Sequence, residues 1–283
     1  MITKSSRVYL ELREAPAPEA SAALERDGYT LLPGAFSPDE VKALRSEIEA
    51  VYDAIPADAR NAALDAEQLE DFRYEMLNRS AACQLAVGDR RLLDVIEPLL
   101  GEDCHVIANT AWRNPPREEH RHGGGNWHID AGPHVPRPAG VPWDDRIPYP
   151  VFAVAVHLYL IDCPIECGPT AVIPGSHRSG QHPPFDRIQD LDLTCDGLGA
   201  VPLTARAGDV ALFVSDLWHR RLPTREEDTG RFFLQIHYGR RDLAQRLRTT
   251  AMVNHVSDAA RERAASPRER SVIGLHDPFF YDG

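Results

Sequence analysis

A chain of 283 residues, 43% hydrophobic and 26% charged, is long enough for one large domain and has the balance of an ordinary globular protein. Its formal net charge of -12 argues against nucleic acid or an anionic membrane as the main partner, because both select a basic surface. No stretch approaches the ~20 apolar residues of a membrane span. The five cysteines, an odd number with no CxxC pair, read as reduced thiols of a cytoplasmic protein, not as a disulfide or zinc framework.

In chain order, residues 1–17 are a polar lead-in whose alternating patch Val8–Leu12 suits a peripheral strand. Residues 19–27 suggest a short helix ending at Asp27-Gly28, and Tyr29–Leu32 a short strand closed by Pro33-Gly34. Ser37-Pro38-Asp39-Glu40 is a helix start: a serine N-cap, proline at the first helical position and glutamate at the third. That helix should run to about Ala54, burying Val41, Leu44 and Ile48. Two more helical regions follow, over 66–87 (Leu69, Phe72, Met76, Leu77) and over 90–100, stopping at Gly101.

The character changes after Gly101. His105–Arg113 alternates as a strand, and one parity would turn Asn109 and Arg113 inward. Residues 114–125 form a loop, and the Asn126-Trp127-His128-Ile129-Asp130 stretch follows. A proline-rich loop, 131–150, comes next and suits an active-site rim. Val151–Asp162 is the strongest strand signal: Val154, Val156 and Leu158 make one apolar face, His157 and Tyr159 the other. Short strands are expected at Thr170–Ile173, Val201–Leu203 and Asp209–Val214, with a second irregular loop at 178–200. Arg231–Gly239 repeats the division, with Arg231, Phe233, Gln235 and His237 opposite Phe232, Leu234, Ile236 and Tyr238. A tail, 242–283, offers two short helical pieces and a Pro-Phe-Phe-Tyr end.

Helices first and short strands later, without βαβ alternation, predict an α+β fold. The best fit is a double-stranded β-helix (a cupin-like jelly roll) with N-terminal helices packed on one sheet. The expected organisation is one domain over 1–283. Residues 1–101 give helical support, 102–241 the jelly-roll core and 242–283 a helical tail.

His128 and Asp130, two residues apart, share one face of an extended segment. With the distant His219 they offer two imidazoles and a carboxylate, the donor set that holds non-haem Fe(II) by one face and leaves positions open for co-substrate and O2. If the electron donor is 2-oxoglutarate, its distal carboxylate needs a cation inside the barrel. The only lysines, Lys4 and Lys42, lie in the N-terminal region, whereas Arg231 stands twelve residues after His219 on the polar face of a strand.

Several blocks, in order, resemble the phytanoyl-CoA dioxygenase-like group of Fe(II)/2-oxoglutarate oxygenases. They are Gly28-Tyr29 with Leu32–Ser37; Trp127-His128-Ile129-Asp130; Cys167-Gly168-Pro169-Thr170 through Pro174-Gly175-Ser176-His177; and Ala207–Val210 with Leu217-Trp218-His219. Two features depart from that pattern: Thr224 stands where Asn is common, and the segment after His219 is charged. The resemblance implies that His128, Asp130 and His219 bind Fe(II), that Arg231 clamps 2-oxoglutarate, and that Thr170 is an additional contact to it. It implies that 2-oxoglutarate and O2 give succinate, CO2 and an oxidant that abstracts hydrogen from a small-molecule substrate. Asp130 favours hydroxylation, or a related desaturation or ring closure, because halogenases of this class replace that carboxylate with a small residue.

Asn109, Arg113, Trp127, His157, Tyr159, Phe233, Gln235 and His237 are the candidate pocket residues. For His157 and His237, pocket lining and simple core burial weigh equally. His120, His122 and His134 read as solvated or rim histidines of a loop, and His177 as a structural one hydrogen-bonded to backbone. Arg117, Arg121, Arg137 and Arg146 would make a basic mouth, but Glu118, Glu119, Asp144 and Asp145 neutralise it. The readings to be separated are an oxygenase of small molecules, a non-catalytic ligand-binding jelly roll, and a zinc hydrolase, which would lack an obvious general base. Acyl-CoAs, amino acids, nucleoside-type compounds and complex natural products all fall within the family's range. The two long loops lean toward a natural-product tailoring step.

Overall fold

The computed structural model describes residues 18–54, 72–116, 122–247 and 256–276. The lead-in patch at Val8–Leu12, Leu69, Arg117–Arg121 and the Pro-Phe-Phe-Tyr end lie outside the described residues. Helix α1 (Glu19–Asp27) ends on Gly28 at φ 84°, and its amide bonds back to the Leu24 carbonyl. Strand β1 (Tyr29–Leu32) and helix α2 (Pro38–Ala54) have the bounds the sequence suggests. The capping box at α2 forms as written: the Ser37 amide donates to Glu40 at 2.7 Å and the Glu40 amide donates to Ser37 Oγ at 3.4 Å.

The helical region expected over 66–87 is corrected in part, at its described start. Phe72–Tyr74 forms a short strand, β2, which pairs with the following long strand. Glu75 then turns through φ 59°, and helices α3 (Met76–Arg79) and α4 (Ala81–Val87) are separated by Ser80. Ser80 is an N-cap, its hydroxyl accepting the Cys83 amide at 3.1 Å. Phe72, Met76 and Leu77 are buried, as helical spacing predicts, but an aromatic pair flanking Arg73 suits a pleated edge better. Helix α5 (Arg90–Leu100) and strand β3 (His105–Asn114) close the first part.

The later strands are β4 (Ala153–Tyr159), β5 (Thr170–Val172), β6 (Val201–Pro202), β7 (Val210–Val214), β8 (His219–Arg221) and β9 (Arg231–Gly239). Helices α6 (Asp258–Arg263) and α7 (Pro267–Val272) are the two pieces of the tail. Six strands form one sheet in the order β1-β7-β4-β9-β3-β2, and three form a second in the order β6-β5-β8; every pairing is antiparallel. This is a jelly roll with its helices on one sheet.

Alternation sorts the large sheet into two faces. Val154, Val156 and Leu158 of β4, Leu212 of β7 and Leu234 and Ile236 of β9 pack in one core with Leu24, Leu44, Ile48, Leu92 and Ile96 of the helices. Each such buried side chain contributes roughly 1.5–3 kcal/mol. Ala155 and Tyr159 of β4, Ala211 and Phe213 of β7 and Phe233 of β9 face inward with Val172 of the small sheet.

Strand β3 breaks the expected parity. The β3–β9 register shifts between Val106 and Ala108, so one extra residue, Ile107, interrupts the pairing. Beyond it Thr110, Trp112 and Asn114 stand opposite Gln235, Phe233 and Arg231 and share their inner face. Asn109 and Arg113 therefore turn outward, contrary to the sequence expectation. Asn109 Oδ1 accepts the Leu77 amide at 2.7 Å, and the Arg113 guanidinium lies 4.1 Å from the Tyr52 ring centre. Neither reaches the space between the sheets.

Candidate metal centre

The centre is built on the β8 edge of the small sheet. The backbones of His128 and His219 form an antiparallel bridge, each amide donating to the other's carbonyl at 3.0 Å. One alternation further, the Asp130 amide donates to the Ser215 carbonyl at 3.0 Å. Both ligand-bearing segments are thus braced by main-chain bonds. A tight turn supports this edge. Gly168, just before β5, has φ 61°, and a Cβ there would sit 2.4 Å from the Leu222 carbonyl oxygen that follows β8.

The side chains of His128, Asp130 and His219 form a possible metal-holding group, their ligand atoms all within 4.8 Å of one another. Asp130 Oδ1 is 3.4 Å from His219 Nε2 and 4.0 Å from His128 Nε2. The remaining ring nitrogens identify the tautomers. His128 Nδ1 donates to the Asn126 carbonyl and His219 Nδ1 to the Leu217 carbonyl, both at 2.8 Å. Each Nε2 lone pair is left for a metal, and each ring is fixed in orientation by the opposite bond. Two neutral imidazoles and a carboxylate suit a divalent first-row ion bound on one face.

Charge is tuned to the same end. Burial favours a protonated Asp130, but His219, His237 and His128 outweigh it and hold the carboxyl far below the usual carboxylate range. Burial disfavours protonation of His219, yet the adjacent Asp130 prevails and raises its pKa. Burial, helped by His219, lowers that of His128. The His219 side chain is buried, whereas His128 is half exposed. A metal bound at the His219 Nε2 would take over the favourable interaction that Asp130 makes with that ring.

The inner face of β9 extends from this centre. His237 Nε2 lies 3.6 Å from Asp130 Oδ2. Gln235 contacts His237 at 2.9 Å and His157 at 3.4 Å, and accepts the Trp112 indole N–H at 2.7 Å. Phe233 packs on His157, with ring centres 4.4 Å apart. Arg231, buried, donates from Nε to Asn114 Oδ1 at 2.7 Å and lies over Phe233 at 5.2 Å. Tyr159 and Thr170 are also buried on inward faces, Tyr159 in the inner cluster and Thr170 in alternation with Val172.

Trp127 is a further correction. The alternation that turns His128 toward the centre turns Trp127 away, into a separate cluster with Ala171, Ile173, Leu193, Cys195 and Trp218. Its indole donates to the Asp190 carbonyl at 2.6 Å, and the Arg220 guanidinium lies over its ring. Sequence reasoning also missed three inner residues. Trp112 and Asn114 were hidden by the β3 bulge. Phe213, whose ring is 4.8 Å from that of His219, was legible from period-two alternation along β7.

The 131–150 loop is anchored beside the centre. Asp216 accepts the His134 amide at 2.8 Å and the Tyr149 hydroxyl at 3.3 Å, and also pairs with the His134 ring. His134 is thus tied to the scaffold, as a rim residue of that loop and not a solvated one. His122 is tied down as well: its amide donates to Thr224 Oγ1 at 3.1 Å. His177 is structural as expected, its Nε2 bonded to the Glu25 carbonyl at 3.0 Å. Arg146 pairs with Asp144 and Arg178 with Asp145, in keeping with a neutralised loop.

Comparison with known proteins gives a consistent result. The phytanoyl-CoA dioxygenase (PhyH) family pattern matches residues 24–227. An ectoine dioxygenase of Sphingopyxis alaskensis is 28% identical over 229 residues, covering 70% of this chain and 68% of that protein. One from Nocardia farcinica is 25% identical over 233 residues, covering 71% and 70%. Among solved structures, EctD from S. alaskensis in its apoform superposes with a TM-score of 0.63 at 25% identity, covering 82% of this chain and 80% of that one. HygX from Streptomyces hygroscopicus, with nickel and 2-oxoglutarate bound, gives 0.59 at 19% identity over 85% and 97%, a likeness of fold.

Proposed function

This chain belongs to the phytanoyl-CoA dioxygenase family and is a 2-oxoglutarate-dependent non-haem iron dioxygenase; we propose that it hydroxylates an unactivated C–H bond of a small molecule. The observation that carries the reading is the continuous inner face from the His128–Asp130–His219 group to buried Arg231. In this reading the three side chains hold Fe(II), their tautomers set by the Asn126 and Leu217 carbonyls. Arg231 clamps the distal carboxylate of 2-oxoglutarate, with Asn114 fixing its guanidinium, and Thr170 adds a contact. Bound there, Fe(II) with 2-oxoglutarate and O2 supplies an oxidant strong enough to break an aliphatic C–H bond.

Within this reading the protein's own part is binding, orientation and exclusion of water. Phe213 and Phe233 line the space beside His219 and Arg231, so charges in it interact more strongly than in water. Asp130 fills the position that halide transfer would require to be open, which supports oxygen transfer. A solved structure of EctD, 26% identical to this chain with a TM-score of 0.58, contains 2-oxoglutarate and 5-hydroxyectoine. That favours a hydroxylated product and a small polar substrate here, and a natural-product tailoring step fits within the same class. All five cysteines are free and buried, as reduced thiols of a cytoplasmic protein would be. Among the described residues no helix is long and apolar enough to cross a membrane.

The test is succinate release across a panel of small polar compounds under 18O2. The reading expects substrate-dependent succinate and one labelled oxygen in the product. A product that has lost two hydrogens and carries no label would contradict hydroxylation and indicate desaturation or ring closure.

A further inference from the structure

The turn between β7 and β8 serves both halves of the metal group. Its Ser215 carbonyl accepts the Asp130 amide at 3.0 Å, and its Leu217 carbonyl accepts the His219 ring N–H at 2.8 Å. Asp216 lies between these two residues and is buried, at 3% exposure. Among the described residues its one ion-pair partner is the His134 ring, and no arginine or lysine pairs with it. A carboxylate taken out of water without a cation of fixed charge is costly and must be satisfied by donors. Three satisfy it: the His134 amide at 2.8 Å, the His134 ring through Nδ1, and the Tyr149 hydroxyl at 3.3 Å.

Two of those donors belong to the segment that carries Asp130. Before Asp130 the segment is pinned by the His128–His219 bridge, and at Asp130 by the bond to Ser215. After Asp130 it is pinned by His134, whose partner Asp216 adjoins Ser215. The contacts close a ring: chain from Asp130 to His134, hydrogen bonds from His134 to Asp216, and Ser215 back to Asp130. The His134 ring is itself stacked on Phe152, with centres 4.8 Å apart and planes 7° from parallel. A ligand side chain serves a metal only when held within about 0.5 Å of the required geometry, and that precision comes from the groups supporting it.

We infer that Asp216 is a positioning residue of the metal centre: by clasping His134 it holds the Asp130 segment against the turn that orients His219, so that carboxylate and imidazole stay set for one ion. The inference rests on the functional reading above and deepens it. It gives the buried carboxylate a task beyond anchoring the rim loop. The loop's far end reaches Asp216 through Tyr149 alone, so the two tasks can be separated.

The experiment titrates full-length protein with Co(II), which binds the same donor types and reports its surroundings in its visible absorption. Calorimetry should show Asp216→Asn weakening Co(II) by roughly tenfold or more, the usual effect of losing a group that supports a ligand, with an altered visible spectrum in folded protein. His134→Phe keeps the stack on Phe152 and the main-chain bond but loses the ring's bond to Asp216, and should weaken Co(II) by roughly threefold or more. Combined with Asp216→Asn it should add little. Tyr149→Phe frees only the far end of the loop and should leave Co(II) affinity and spectrum unchanged. Unchanged Co(II) affinity in Asp216→Asn, with thermal stability alone reduced, makes the carboxylate merely structural and overturns the inference. So does an equal loss in Tyr149→Phe. Should Asp216→Asn not fold, His134→Phe decides, and unchanged affinity there overturns the inference. Wild-type protein that binds no Co(II) would instead remove the metal reading itself.

Discussion

At the scale of single residues, backbone neighbours decide what each side chain can do. His128 and His219 are ready ligands because carbonyls two residues upstream hold their Nδ1 protons. Adjacent positions on β3 then divide between two tasks. Arg113 lies on Tyr52 beneath the helices, so Arg113→Ala should cost about 0.5–1 kcal/mol of stability and leave 2-oxoglutarate affinity unchanged. Asn114 holds Arg231, so Asn114→Leu should weaken 2-oxoglutarate by roughly tenfold or more, because a buried guanidinium N–H loses its acceptor. Chemical denaturation and calorimetry on the two variants check the contrast; equal effects on 2-oxoglutarate would reverse the assigned faces.

At the scale of elements, what was legible followed local chemistry. The capping box wrote the start of α2, Asp27-Gly28 wrote the end of α1, and alternation gave β4 and β9 with their correct faces. What was not legible depended on partners. The β3 bulge arises in its pairing with β9, and nothing local to Ile107 announces it, so alternation alone turns Asn109 and Arg113 inward and Trp112 and Asn114 outward. The strand at Phe72–Tyr74 exists because β3 offers an edge to pair with. Trp127 differs: it adjoins His128, yet strict alternation along the same segment turns it away from the pocket. The turn before β5 gives a test at this scale. Gly168→Ala should destabilise the fold by about 2 kcal/mol or more, since both its φ of 61° and the Leu222 carbonyl oppose a Cβ. Thermal unfolding measures this, and a loss under about 0.5 kcal/mol would count against the described turn.

At the scale of the whole molecule, buried histidines couple stability to pH. Burial lowers His177 from 6.5 to about 4, despite its bond to the Glu25 carbonyl. The unfolded chain takes up that proton from about pH 6.5 downward, whereas the folded chain resists until about pH 4. Stability therefore falls on acidification across this window, by about 3 kcal/mol from this residue alone. His276, also lowered to about 4, and His105 act in the same direction, while His219, raised by Asp130, opposes them in the metal-free protein. Denaturant titrations at pH 7 and pH 4.5 should show the loss, and a smaller pH slope in His177→Gln; equal slopes would remove His177 as a source. The proposed function requires His128, Asp130, His219 and Arg231 to act together across two sheets, and one measurement addresses that directly. Under anaerobic conditions, Fe(II) and 2-oxoglutarate together should give a visible charge-transfer band that neither gives alone. His128→Ala should abolish it, and Arg231→Leu should raise the 2-oxoglutarate concentration needed by at least tenfold, the loss of one charge-assisted pair. No band with wild-type protein, or an undiminished band in His128→Ala, would contradict the centre described above.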